Sequence, residues 1–303
     1  MLSIKTPLIQ SLVLSQLNQC QVWLKMEALQ PSASFKQRSI SHACQVHYSQ
    51  GAKRFISSSG GNAGLAVAYT GRQLNVPVTV VVPETTAQRA RELIAQQGAE
   101  VIVHGASWTE ANALAQSLLT EDAVFIHPFD DALLWEGIIP MIDEVIADGV
   151  IPDAVVLSVG GGSLLSGVIA GLEKHHLSHI PIYAVETEGT ASLHASMQAK
   201  QHVELAQVSG IATTLAAKKV CTNAFELSQQ HPVQSVVVSD QDTVNACFKF
   251  LDDHRVLVEP ACGATLSVLY DQKAKFKTTD HVLVIVCGGA SVTLESLRSY
   301  QTV

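Results

Sequence analysis

Lys36 lies in QPSASFKQRSI, after Pro31 and a run of small residues that reads as a loop. It opens the helical stretch KQRSISHACQVHYSQ, with Ser34 placed near the N-cap. A lysine there faces the positive end of the helix dipole, which disfavours the ammonium and lowers its pKa. Such a lysine suits Schiff-base and general-base chemistry. A solvated surface lysine would read the same way. SSSGGNAG, residues 57–64, joins an expected strand to an expected helix. Its glycines and hydroxyls expose backbone N–H groups where a carboxylate or phosphate binds. An ordinary connection with Asn62 as a plain cap is the alternative. A second run, Gly160, Gly161, Gly162 and Ser163, follows an apolar strand and precedes a helix, so its backbone can wrap an anion. It is not a Walker loop, and its glycine spacing does not fit a nicotinamide fingerprint. Cys287 ends an apolar strand beside Gly288 and Gly289, where open α/β sheets place ligands. A buried structural thiol is the plainer reading of that cysteine.

The elements that must position these groups alternate along the chain. RFISSS, VPVTVVVP, AEVIVHG, AVVLSV, IYAVET and HVLVIV read as strands. NAGLAVAYTGRQL, TAQRARELIAQQG, TEANALAQSLLTE and LLSGVIAGLEK read as helices between them. Strands apolar on both faces are what parallel strands covered by helices require. The order strand, helix, strand predicts an α/β fold with mostly parallel sheets flanked by helices. At 303 residues the chain is long enough for about two domains, at roughly 150 residues each. Breaks at ALQPSASFK and IHPFDDALLWEG predict a small domain, residues 31–134, inserted into a large one, residues 1–30 plus 135–303.

Composition narrows the function. A net charge of −8 argues against nucleic acid, whose binding rests on neutralising phosphates. The six cysteines are scattered without a C-x-x-C pair, which speaks against a disulfide framework or a zinc knuckle. No stretch approaches 18 apolar residues, and the N-terminus lacks a signal-peptide pattern. The expectation is a cytoplasmic protein that neither binds nucleic acid nor enters a membrane.

Taken together, the pieces resemble the fold-type II pyridoxal-phosphate enzymes, and most closely their serine dehydratase (serine/threonine ammonia-lyase) branch. The matching segments are KTPL, WLKMEALQPSASFKQR, SSGGNAG, VPVTVVVPETT, PFDDALLWEG, LSVGGGSLLSG, AVET, LVEPACGA and VIVCGG. They run from residue 5 to residue 289, nearly the whole chain. The resemblance implies that Lys36 carries pyridoxal phosphate and that Phe35 lies against its ring. It implies that Asn62 bonds the ring's 3-oxygen, and that Gly160, Gly161, Gly162, Ser163 and Leu164 cradle the phosphate. Cys287 would face the pyridine nitrogen. Ser59, Gly60, Asn62 and Ala63 would hold the substrate carboxylate. Glu186, Thr190, Ser192, Leu215 and Ala217 would form an oxygen cage for a monovalent cation, potassium. The implied partners are a small amino-acid substrate and a second copy in a homodimer.

The implied reaction is β-elimination of L-serine, and of L-threonine, to a 2-oxo acid and ammonia. The rivals are a serine racemase or threonine deaminase of the same fold, and a catalytically weak pyridoxal-phosphate carrier. Two positions depart from the family pattern: Ser163 replaces a fourth glycine, and Thr214 stands opposite Phe35 where a small residue is usual. Gly60→Ala is expected to alter turnover more than stability.

Overall fold

The structure, a computed structural model, describes residues 2–301. The chain begins with β1 (Leu8–Gln10), α1 (Leu12–Asn18) and β2 (Gln21–Lys25). A 3-10 turn (Glu27–Leu29) leads to α2 (Lys36–Ser49), β3 (Arg54–Ser57) and α3 (Asn62–Leu74). Next come β4 (Val78–Val82), α4 (Gln88–Gln96), β5 (Glu100–Val103), α5 (Trp108–Ser117) and β6 (Ala123–Phe125). α6 (Ala132–Glu136) and α7 (Ile139–Ala147) precede β7 (Ala154–Ser158), α8 (Ser163–Lys174), β8 (Ile182–Thr187) and α9 (Ser192–Ala199). A second 3-10 turn (Thr213–Leu215) is followed by α10 (Thr222–Gln230), β9 (Val233–Val238) and α11 (Asp240–His254). The last elements are α12 (Pro260–Tyr270), β10 (His281–Ile285) and α13 (Leu294–Tyr300).

The strands form two sheets, as the α/β pattern requires. One is six-stranded in the order β1-β2-β10-β7-β8-β9; the other is four-stranded in the order β5-β4-β3-β6. Every pairing is parallel except β1 with β2. The central strands β4 and β7 are buried along their whole length, which explains their unbroken apolar runs. The largest apolar core lies about the six-stranded sheet; a second lies between the four-stranded sheet and α2 and α3.

A four-charge cluster ties α2 to the six-stranded half. Arg38 Nε and Nη2 donate to Glu27 Oε2 and Oε1 at 2.8 and 2.9 Å. Its Nη1 and Nη2 donate to Glu144 Oε1 and Oε2 at 2.7 and 2.6 Å. Lys25 Nζ donates to Glu144 Oε2 and to the Thr6 carbonyl. Lys25, Glu27 and Arg38 are buried, and the two cations balance the two anions. Burial lowers the Lys25 pKa, partly offset by Glu144.

Candidate functional site

Four loops converge where parallel strands of the two sheets end. Each follows the carboxyl end of a strand: SSSGGN after β3, the turn around Pro128 after β6, Gly160–Gly162 after β7, and Cys287–Gly289 after β10. This is where open α/β sheets present ligands.

Lys36 is the first residue of α2, and its ammonium lies in the middle of this convergence. Nζ donates to the Pro128 carbonyl at 2.6 Å and to Ser163 Oγ at 3.0 Å. It lies 5.1 Å from the Phe35 ring centroid. Burial lowers its pKa to about 8, so a neutral amine is accessible near physiological pH. Desolvation is the largest cause, and it is not visible in the local sequence. Ser34 does not cap the helix. Phe35 is the N-cap, without a side-chain cap bond, and Ser34 Oγ is buried with no partner.

The segment that delivers Lys36 is strapped to the end of β10. Phe35 N–H donates to the Cys287 carbonyl at 3.0 Å, and Gly289 N–H to the Ala33 carbonyl at 2.9 Å. Gly288 and Gly289 have φ of +104° and +136°, and a Cβ on Gly288 would lie 2.2 Å from the Ala33 carbonyl oxygen. Only glycine supports both the dihedral and the close approach. Cys287 is buried, with Sγ 3.6 Å from Ser158 Oγ. The adjoining Cys262 thiol and burial push its pKa well above the usual thiol range, so it is a neutral thiol.

Gly162, in the left-handed region, caps α8, and Ser163 and Leu164 begin it, both buried. The first amides of a helix have no intrahelical acceptor, so they are donors for an anion. A Cβ on Gly161 would lie 2.1 Å from the Phe129 ring, so the loop runs without side chains between its neighbours. Gly61 and Asn62 likewise begin α3, with Ala63 buried behind them, and Gly61 N–H donates to Ser59 Oγ at 3.3 Å. Asn62 is not a plain cap: its side chain bonds Glu259 and the Ala290 amide.

Gly60 does not adopt a positive φ, but a Cβ there would lie 2.6 Å from Thr86 Cγ2 and 2.8 Å from Thr86 Oγ1. Gly60→Ala is therefore expected to affect stability. It is expected to destabilise the protein by about 1–3 kcal/mol through overpacking. Adding Thr86→Ala should recover most of that loss. Urea midpoints of the two single variants and the double variant check this.

Glu186, Thr190 and Ser192 meet at the junction of β8 and α9. Glu186 Oε1 and Oε2 accept from Leu193 N–H and His194 N–H at 2.8 and 2.7 Å. Burial raises its pKa to about 7. Thr190 Oγ1 pairs with Thr187 Oγ1 at 2.8 Å, while Ser192 Oγ is buried without a partner. Leu215 lies on the second 3-10 turn against Gly160, where a Cβ would lie 2.9 Å from Leu215 Cα, and Ala217 follows just after the turn.

Two further side chains border Lys36 and Asn62. His127 Nδ1 accepts from the Phe129 and Asp130 amides at 3.2 and 2.7 Å, fixing the turn whose Pro128 carbonyl meets Lys36. Glu259, at the N-cap of α12, accepts from Asn62 Nδ2 and from Thr214 Oγ1, both at 2.8 Å. Burial raises its pKa to about 7. Glu259 lies inside LVEPACGA, whereas His127 immediately precedes PFDDALLWEG, and neither local pattern indicates a role by itself.

An amine of lowered pKa hydrogen-bonded at the N-terminus of α8, with the open N-terminus of α3 and a neutral thiol in the same convergence of loops, can bind a carbonyl group through the amine and anions through the backbone amides. Residues 2–288 match the family described as pyridoxal-phosphate dependent enzyme, and the chain belongs to that family. It is 44% identical to an L-serine dehydratase of Dictyostelium discoideum, over 98% of this chain and 91% of that one. It is 43% identical to the L-serine dehydratase/L-threonine deaminase of Homo sapiens, over 98% of this chain and 94% of the relative. The fold matches the crystal structure of a fungal L-serine ammonia-lyase from Rhizomucor miehei with a TM-score of 0.93 and 35% identity. That match covers 99% of this chain and 98% of the other.

Proposed function

We propose that this chain is an L-serine ammonia-lyase that also accepts L-threonine, releasing pyruvate or 2-oxobutanoate together with ammonia. The observation that carries this reading is Lys36, a lysine of lowered pKa hydrogen-bonded to Ser163 at the head of the glycine loop. Pyridoxal phosphate, when bound, supplies the electron sink that acidifies the substrate Cα–H and permits loss of the β-substituent. Lys36 would carry the cofactor and, once displaced by the substrate amine, take the Cα proton on its neutral Nζ. The amides from Gly160 to Leu164 would hold the phosphate. Asn62 would donate to the 3-oxygen, and Phe35 and Thr214 would flank the ring. Ser59, Gly60, Asn62 and Ala63, at the start of α3, would orient the carboxylate. A neutral Cys287 would offer the pyridine nitrogen only a weak donor. That favours prompt loss of the β-hydroxyl over reprotonation and transamination.

We take residues 31–134 as a small domain and residues 1–30 plus 135–303 as a large one, a reading supported by the division of the strands into two sheets. We take the active form to be a cytoplasmic homodimer. Among the described residues, no helix is long and apolar enough to cross a membrane. The test is 2-oxo acid release from a panel of L-amino acids, with chiral analysis of the remaining serine. Racemised serine without pyruvate would reject the lyase in favour of a racemase.

Potassium would complete an oxygen cage at Glu186, Thr190, Ser192, Leu215 and Ala217. The full burial of the Glu186 carboxylate and the unpartnered Ser192 hydroxyl support this. The folded-state pKa of Glu186, about 7, lies above its ordinary value of 4.5. Its contribution to stability is therefore fullest below pH 4.5 and is lost as pH rises through about 7. A bound cation offsets the buried charge only once the group is ionised. Potassium is thus expected to raise the Tm at pH 8 and to have little effect near pH 5, with zinc unable to substitute. Melting curves in potassium and in a bulky organic cation, at both pH values, check this. An equal potassium effect at both would remove Glu186 from the cage.

A further inference from the structure

Glu259 joins the two halves of the cleft through the side chain assigned to the cofactor's 3-oxygen. The residue is 5% exposed, and Oε1 accepts one hydrogen from Asn62 Nδ2 and one from Thr214 Oγ1. Asn62 begins α3, beside the four-stranded sheet, while Glu259 caps α12 and Thr214 lies on the 3-10 turn at the head of the other half. The other end of the Asn62 amide is also held: Ala290 N–H donates to Oδ1 at 3.3 Å. An amide can flip and offer either a carbonyl or an amine to a site. Here the carboxylate requires the Nδ2 end and the Ala290 amide requires the Oδ1 end, so both bonds select one orientation.

We propose that Glu259 is a positioning residue that locks the Asn62 amide so that its remaining Nδ2 hydrogen is offered to an anionic oxygen, and that it docks the substrate loop onto the six-stranded half. This rests on the reading of Asn62 as the partner of the cofactor's 3-oxygen. One Nδ2 hydrogen is committed to Glu259, and the second stays free for the site. Thr214 spends its only O–H on the same carboxylate. The point a Cβ on Gly61 would occupy lies 3.7 Å from Thr214 Cγ2, so the methyl group borders the loop. The threonine at this unusual position is therefore held by Glu259 with its hydroxyl engaged. Space for the carboxylate comes from Gly289, where a Cβ would lie 2.2 Å from Glu259 Cδ.

The experiment measures pyridoxal-phosphate affinity and the absorbance of the bound cofactor in E259A, N62A and the double variant. A donor to the 3-oxygen favours the long-wavelength, ionised-oxygen form of the lysine-bound cofactor. E259A and N62A should each weaken binding about tenfold, the scale of one hydrogen bond to a charged group. Each should also shift absorbance toward the short-wavelength form. Because Glu259 acts through Asn62, the double variant should be no worse than N62A. E259Q keeps an acceptor oxygen and should approach the parent in affinity and spectrum. E259D keeps the charge but falls short of Asn62, so it should reproduce the spectral shift of E259A if E259A does not fold. Parent-like affinity and spectrum in E259A or E259D, or effects of E259A and N62A that add, would overturn the proposal. A parent protein whose cofactor is not attached through Lys36 would instead overturn the underlying reading, and the proposal with it.

Discussion

Lys36→Ala is expected to abolish 2-oxo acid release and the absorbance of covalently held cofactor together. One amine is asked to anchor the cofactor and to move the Cα proton, and among the described residues no second amine is hydrogen-bonded to Ser163 and Pro128. General-base catalysis alone contributes about 10²–10⁴-fold, and loss of the covalent anchor adds to it. Turnover should therefore fall by at least about 10⁴-fold while the melting temperature changes little. The lowered Lys36 pKa gives a second reading in the unmodified protein. The amine is half neutral at about pH 8, so the rate at which cofactor-free protein takes up pyridoxal phosphate should rise from pH 7 to pH 9. A variant at position 36 that still carries reducible cofactor would show that another lysine holds it.

Glu27→Ala should produce the largest loss of stability. Glu27 is fully buried and accepts from Arg38, Thr6 and Gln30. Removing one member of a buried ion pair leaves the other charge without compensation and costs about 3–5 kcal/mol. Arg38 retains Glu144, which places the expected value toward the lower end. Lys174 and Asp143 form an exposed pair, and Lys174→Ala should cost less than about 1 kcal/mol. Urea midpoints of the two variants test the contrast. Arg38 lies two residues beyond Lys36 on α2, so Glu27→Ala should also lower kcat by shifting that helix, even where the protein remains folded. Equal midpoints for both variants would mean that the cluster is not an anchor.

The segments legible from the sequence are those with one simple environment. α3 spans Asn62–Leu74 as expected, and β8 spans Ile182–Thr187 as expected, because a steady apolar pattern marks each. β2 went unread because Lys25, buried for its ion pair, interrupts the apolar run. β9 lies at the edge of its sheet and is only partly buried between its ends, so it lacks the unbroken signal of a central strand. α12 is buried on all sides and has no polar face, which removes the 3.6-residue period that marks a helix. Glu259, at the start of that unread helix, was missed for the same reason.

The alternation of strands and helices, the two glycine loops, the lysine and the thiol are legible in the residues alone. These are local properties: apolar period, backbone freedom and side-chain chemistry are carried by neighbouring residues. The burial that lowers the Lys36 pKa, and the crowding of Gly60 by Thr86, come only from the fold. It alone joined Arg38 to Glu27 and Glu144, and Asn62 and Thr214 to Glu259. Desolvation and close contact depend on which distant segments the fold brings together. Asn62 and Glu259 are 197 positions apart in the chain and 2.8 Å apart in space, a relation that no local pattern encodes.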